Sequence, residues 1–151
     1  LDPSRNDHRN VTFHDSCNPA RAMGLMDEPR YVLQNVVNNF HEMPENTIRE
    51  QTFCCGAGSG LNTEEIMDVR MRGALPRANA LKHVHEKNGV NMMSCVCAID
   101  RATLLALTQY WVPDVEICGV TELVANALVM EGENEVRDCD LREDPYEGVE
   151  E

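Results

Sequence analysis

The sequence predicts an α/β fold with a mostly parallel β-sheet and crossover helices. Three observations predict it. Short apolar runs alternate with longer stretches of helical spacing, and most changeovers carry a cap or turn residue. The chain has 151 residues, 42% of them hydrophobic and only 5% aromatic, enough for one core built from Val, Leu, Ile, Met and Ala. Alternation of strand and helix requires parallel neighbours with helices over both faces.

The elements follow in order. NVTFHD (10–15) reads as a short buried strand. DEPRYVLQNVVNNFHEM (27–43) reads as a helix, because Val32, Leu33, Val36, Val37 and Phe40 repeat at helical spacing behind Asp27 and Pro29. EQTFCC (50–55) is a second strand candidate. NTEEIMDVRMRGAL (62–75) is a helix whose Asn62 and Glu65 form a capping-box pattern. Pro76 breaks it, RANALKHVHEK (77–87) continues as another helical piece, and Asn88-Gly89 stops that. VNMMSCVC (90–97) is the third strand, and DRATLLALTQYW (100–111) a helix with Asp100 as its N-cap. VEICGV (115–120) is the fourth strand, TELVANALVM (121–130) the last helix. The order is βαβαβαβα, with no internal repeat.

Charge and composition exclude several functions. No apolar run approaches the length of a membrane span. Net charge is −13, of which residues 131–151 carry −8, so the chain divides into a domain over 1–130 and a solvated acidic tail, or docking arm for a basic partner, over 131–151. Nothing offers a basic stripe for nucleic acid. The chain starts at Leu1 with neither an initiator Met nor a hydrophobic leader, which predicts that further domains precede it.

The chemistry lies in the cysteines. There are seven, at 17, 54, 55, 95, 97, 118 and 139. The odd number, the adjacent pair and the absence of an export signal disfavour a disulfide framework. In an open α/β sheet, ligands gather at the carboxyl ends of strands. Cys17 follows the first predicted strand, Cys54 and Cys55 end the second, and Cys97 ends the third. Four thiols therefore meet at one rim, which points to zinc or an iron–sulfur centre. The gaps are 36 residues between Cys17 and Cys54 and 41 between Cys55 and Cys97. These spacings, with two ligands adjacent, favour iron–sulfur over a zinc knuckle. Gly56, Gly58 and Gly60 give G-x-G-x-G rather than the dinucleotide fingerprint. Gly56 and Gly58 instead let backbone N–H groups approach cluster sulfurs, and a helix N-terminus following them favours an anionic centre. A zinc-stabilised interaction domain and a nucleotide-binding domain are the competing readings.

FHDSCNPAR, TFCCGAGSGL and CVCAID together resemble the cysteine-rich CCG domain of heterodisulfide reductases and of lactate- and glycolate-type oxidoreductases. Over 41–82, the wording is most like the K-subunit branch of the Dsr membrane complex, associated with dissimilatory sulfite reduction. The resemblance spans about 8–130. It implies a Rossmann-like domain with a 4Fe–4S cluster, cubane or noncubane, on Cys17, Cys54, Cys55 and Cys97. It implies a catalytic subunit, peripheral on the cytoplasmic side of the inner membrane, that reduces a disulfide or trisulfide of a DsrC-like sulfur-carrier protein. Electrons would come from menaquinol through a membrane subunit carrying haem b, and a ferredoxin-like segment would precede the domain.

One position departs from that pattern: Asp100 stands where the family has a second Cys in Cys-x-x-Cys. It is an oxygen ligand, a proton donor to a leaving thiolate, or a helix N-cap, the last being preferred. Cys95 shares a strand face with Cys97 and could replace that missing ligand, but a buried small hydrophobe is the preferred reading; Cys118 reads as core. His14, three residues before Cys17, is a zinc ligand, an acid near the cluster, or a strand-end histidine hydrogen-bonded locally, the last being preferred. Arg21, Arg77 and Arg101 follow the rim motifs, to offset charge, meet a partner, or serve surface solubility.

Overall fold

The computed structural model describes residues 1–60 and 63–130. The Asn62 cap, the acidic tail and Cys139 lie outside them. Three strands form one parallel sheet in the order β1 (Val11–Phe13), β2 (Met92–Cys95), β3 (Glu116–Gly119). The helices are α1 (Asp27–Val36), α2 (Met67–Gly73), α3 (Leu75–Asn88), α4 (Ala98–Trp111) and α5 (Val120–Ala127).

Strand alternation sorts the core into two layers. Val11, Phe13, Met92 and Cys118 face one side, where Leu33 and Val36 of α1 and Leu123 and Ala127 of α5 cover them. Met93 and Cys95 face the other, against Ala78, Leu81 and Val84 of α3 and Leu104 and Leu107 of α4. The sheet is thus covered on both faces, as the alternating sequence requires. Pro76 sits in the first turn of α3, where its missing N–H is not needed, and the α2–α3 break falls at Ala74. Gly89 ends α3 in the left-handed conformation, φ +70°.

Four expectations need correction. The helix expected over 27–43 stops at Val36, because Val37 turns extended (φ −135°). The chain then runs beside β1, with Val11 N–H donating to Asn39 O and His41 N–H to Val11 O, so Phe40 makes a parallel bridge to Val11. That occupies the sheet edge the expected strand over 50–55 would need. The segment instead forms a 3₁₀ turn (Arg49–Gln51) and an irregular run to Cys55. Its polar groups go to side chains: Arg49 N–H donates to Asp15 Oδ2, and Thr52 O accepts from Arg21. The described sheet therefore has three strands rather than four. Finally, α4 begins at Ala98 with Cys97 as N-cap, so Asp100 lies inside the first turn rather than capping it.

Candidate metal centre

Parallel pairing of β1 with β2 puts the chain beyond Phe13 and the chain beyond Cys95 at the same end of the sheet. The first carries His14, Asp15, Ser16 and Cys17; the second carries Cys97 and the start of α4. Cys17 is exposed at the head of a short π-helix, Asn18–Ala22. Cys97 is half-buried, and the positive end of a 14-residue helix starts at it.

The 52–57 segment reaches this rim through side chains. Thr52 Oγ1 donates to Asp15 O at 2.8 Å. Asp15, 1% exposed, also binds Arg30 through two oxygens at 2.8 Å each and takes the Arg49 N–H at 2.7 Å. Arg30 in turn grips Glu42. Burial alone would lower the Arg30 pKa, but the bonds from Asp15 and Glu42 outweigh it and push the value up. Asp15 thus ties the loop leading to Cys17 to the segment leading to Cys54. Arg49 lies at φ +56°, which a non-glycine residue tolerates only where surroundings hold it, as Asp15 does here.

Cys54 is exposed, and its Sγ accepts the Gly56 N–H at 3.2 Å. Cys55 turns inward against the Asp100 carboxylate, the Ala57 amide and the Thr103 hydroxyl, and burial followed by Asp100 pushes its thiol pKa up to about 12. Gly56 stands at φ +88°, and a Cβ there would meet Arg70 O at 2.7 Å, so only glycine fits. At Gly58 a Cβ would meet nothing within 4 Å.

Asp100 is 3% exposed, with Oδ2 3.6 Å from His14 Nε2 and without a hydrogen-bond partner among the described residues. His14 Nδ1 and Ser16 Oγ are likewise unpartnered there, and burial, then the charge of Arg77, hold His14 neutral, its pKa well below 6.5. Among the described residues His14 Nδ1 thus makes no local hydrogen bond, and Nε2 faces the Asp100 carboxylate instead. Cys95 and Cys118 are core residues, their thiols pushed by burial up to about 12 and about 11.

Among the described residues, no three of His, Cys, Asp and Glu stand close enough together to hold a metal ion as they are. The donor chemistry nevertheless fits an iron–sulfur cluster. Thiols come from three segments at one end of the sheet, the Gly56 amide turns toward Cys54, and unsatisfied buried polar atoms lie behind them. Sequence reasoning missed Asp15, Thr52 and Arg30, and placed Arg77 among rim or surface residues although it is 0% exposed. The available signal was an acid two residues before Cys17 and an arginine inside an otherwise amphipathic helix.

The CCG family, described as a cysteine-rich domain, matches residues 11–98, which include all four rim cysteines and end two residues before Asp100. The chain is 55% identical over 148 residues to an Hdr-like menaquinol oxidoreductase iron–sulfur subunit of Archaeoglobus profundus, covering 96% of this chain and 27% of that relative. It is 53% identical to a second such iron–sulfur subunit, from the Hdr-like menaquinol oxidoreductase of Archaeoglobus fulgidus, with the same coverage. Over 121 residues it is 32% identical to a subunit of the dihydromethanophenazine:CoB–CoM heterodisulfide reductase of Methanosarcina acetivorans, covering 80% of this chain and 28% of that one. The chain thus spans about a quarter of the length of these relatives, which are named as oxidoreductase subunits. No solved structure matches it.

Proposed function

The chain belongs to the CCG family of cysteine-rich domains, and from that premise we propose that it holds a cluster of 4Fe–4S type on Cys17, Cys54, Cys55 and Cys97. It serves an oxidoreductase complex that reduces a sulfur–sulfur bond. The observation that carries this reading is the convergence, through Asp15 and Thr52, of thiol-bearing segments on the carboxyl end of β1 and β2.

When bound, the cluster supplies one electron at a time and an iron able to take a thiolate. The residues do the rest. Gly56, with no Cβ, brings its N–H to the Cys54 sulfur. Asp100, beside Cys55, is the acid placed to give a proton to a departing thiolate, with His14 behind it. Cleaving a disulfide consumes two electrons and two protons and yields two thiols; a trisulfide consumes four of each and also yields hydrogen sulfide. A one-electron centre therefore needs a second carrier in the complex.

The names of the relatives support a menaquinol donor and a heterodisulfide-type acceptor. The finer reading is a DsrC-like sulfur-carrier substrate in sulfite respiration. It includes a quinol-oxidising membrane subunit with haem b and a place on the cytoplasmic side of the inner membrane. No helix among the described residues is long and apolar enough to cross a membrane, so that subunit would supply the span.

Anaerobic reconstitution with iron and sulfide tests the centre. We expect roughly four irons per chain and an EPR signal on reduction, both lost in Cys54→Ala. Bound zinc with no iron and no reducible signal would instead make this a zinc-stabilised interaction domain. Oxidised DsrC-like protein should perturb the reduced signal; no response would remove that partner.

A further inference from the structure

Arg77, on α3, is 0% exposed and the largest of the fully buried side chains. Its guanidinium donates to Thr47 O, to Thr52 Oγ1 at 2.9 Å and to Met43 Sδ at 2.9 Å, and lies 5.8 Å from the centre of the Phe53 ring. Nε has no hydrogen-bond partner among the described residues. All of these partners are neutral, and no ion pair among the described residues includes Arg77. Thr52 and Phe53 immediately precede Cys54, so the charge sits directly beneath the thiol segment.

A buried ion among dipoles alone is costly, and a guanidinium does not escape by deprotonating near neutral pH. The acidic groups that lie within electrostatic reach of it are Asp15, Asp100 and the Cys55 thiol. Asp15 is already engaged by Arg30, Asp100 lies against His14 and Cys55 and is the proton donor in the reading above, and Cys55 is a cluster ligand in that reading.

We infer that Arg77 is the counter-charge of the cluster: a positioning residue that holds the Cys54–Cys55 segment through Thr52 and raises the cluster's reduction potential. This rests on the iron–sulfur reading. A thiolate-bound cluster is anionic and gains one more negative charge on reduction. A fixed cation in the dry layer behind it therefore favours the reduced form.

The test is an anaerobic redox titration of the reconstituted full chain, followed by EPR, with iron content measured in parallel. Arg77→Gln keeps N–H donors and removes the charge. At a fixed potential, its ratio of reduced to oxidised cluster should fall about tenfold, a midpoint drop of about 59 mV for one electron. Arg77→Lys should stay near the wild-type midpoint. If Arg77→Gln does not fold, Met43→Glu sets a carboxylate against the guanidinium and should lower the midpoint in the same direction. An unchanged midpoint in a loaded Gln or Glu variant overturns the inference while leaving the cluster intact. So does a Lys variant that falls as far as Gln, since shape rather than charge would then govern. Wild-type protein without iron fails both the cluster and the inference, and the iron assay separates that case.

Discussion

Two of the buried arginines beside the candidate centre, Arg30 and Arg77, are accommodated in opposite ways. Arg30 binds both oxygens of Asp15 and the carboxylate of Glu42. Among the described residues Arg77 donates to a carbonyl, a hydroxyl and a thioether and lies over an aromatic ring, and burial brings its pKa down to about 10, still charged at neutral pH. Arg30 is complete within the protein and acts as a strut. Arg77 forms no ion pair among the described residues, and in the inference above its charge is met by the cluster. Burial alone does not separate the two roles; the charge of the neighbours does.

The largest expected effect breaks the strut. Asp15→Ala leaves Arg30 without its buried partner and frees the Arg49 amide, and should destabilise the fold by about 3–5 kcal/mol in urea unfolding. Smaller, and independent of charge, is Gly56→Ala. The added Cβ meets Arg70 O at 2.7 Å at φ +88°, which should cost about 1–3 kcal/mol and reduce iron loading of the reconstituted chain. Next comes His14, which feels the uncompensated side. Its folded pKa lies below the unfolded value, so the unfolded chain binds the extra proton. Its contribution to stability is therefore present above about pH 6.5 and lost as pH falls below it, at up to roughly 1.4 kcal/mol per pH unit. Unfolding of wild type at pH 7 and pH 5 should show that loss, and His14→Gln should lack it. Smallest is Arg77→Met in cluster-free protein. Removing an unpaired charge offsets the lost hydrogen bonds, and stability should stay within about 1 kcal/mol of wild type. A loss there as large as that of Asp15→Ala would erase the distinction between the two arginines.

Much of the fold was legible because it follows from short-range rules. The short apolar runs at 11–13, 92–95 and 116–119 are strands, Pro76 sits where a helix begins, and Gly89 sits where one ends. The placement of Cys17 and Cys97 at one end of the sheet was legible for the same reason, since they follow two strands that pair in parallel, whereas Cys54 and Cys55 do not end a strand. The failures share a different cause. Val36, Val37 and Phe40 fit a helix locally, yet the open edge of β1 recruits Phe40 instead. EQTFCC has strand composition, but Phe40 already bridges to the outer edge of β1, and polar groups of the 49–52 stretch are taken by Asp15 and Arg21, which are 29 or more residues distant. Asp100 fits an N-cap by type; the helix begins earlier because Cys97 already has extended backbone. Long-range partners decided the first two cases and the backbone at Cys97 the third, and neither periodicity nor capping preference encodes them.

The register Val11↔Met92 has a consequence for the order in which the chain can assemble. During synthesis β1 emerges well ahead of its hydrogen-bonding neighbour, which lies 81 residues further on by the same register. Until then the first strand has the Phe40 bridge and little else to pair with, and the Cys17 loop has no opposite wall. Closing so long a loop is a slow, non-local step. A chain truncated before Met92 would thus keep Cys17, Cys54 and Cys55 but leave the first strand with no sheet to join.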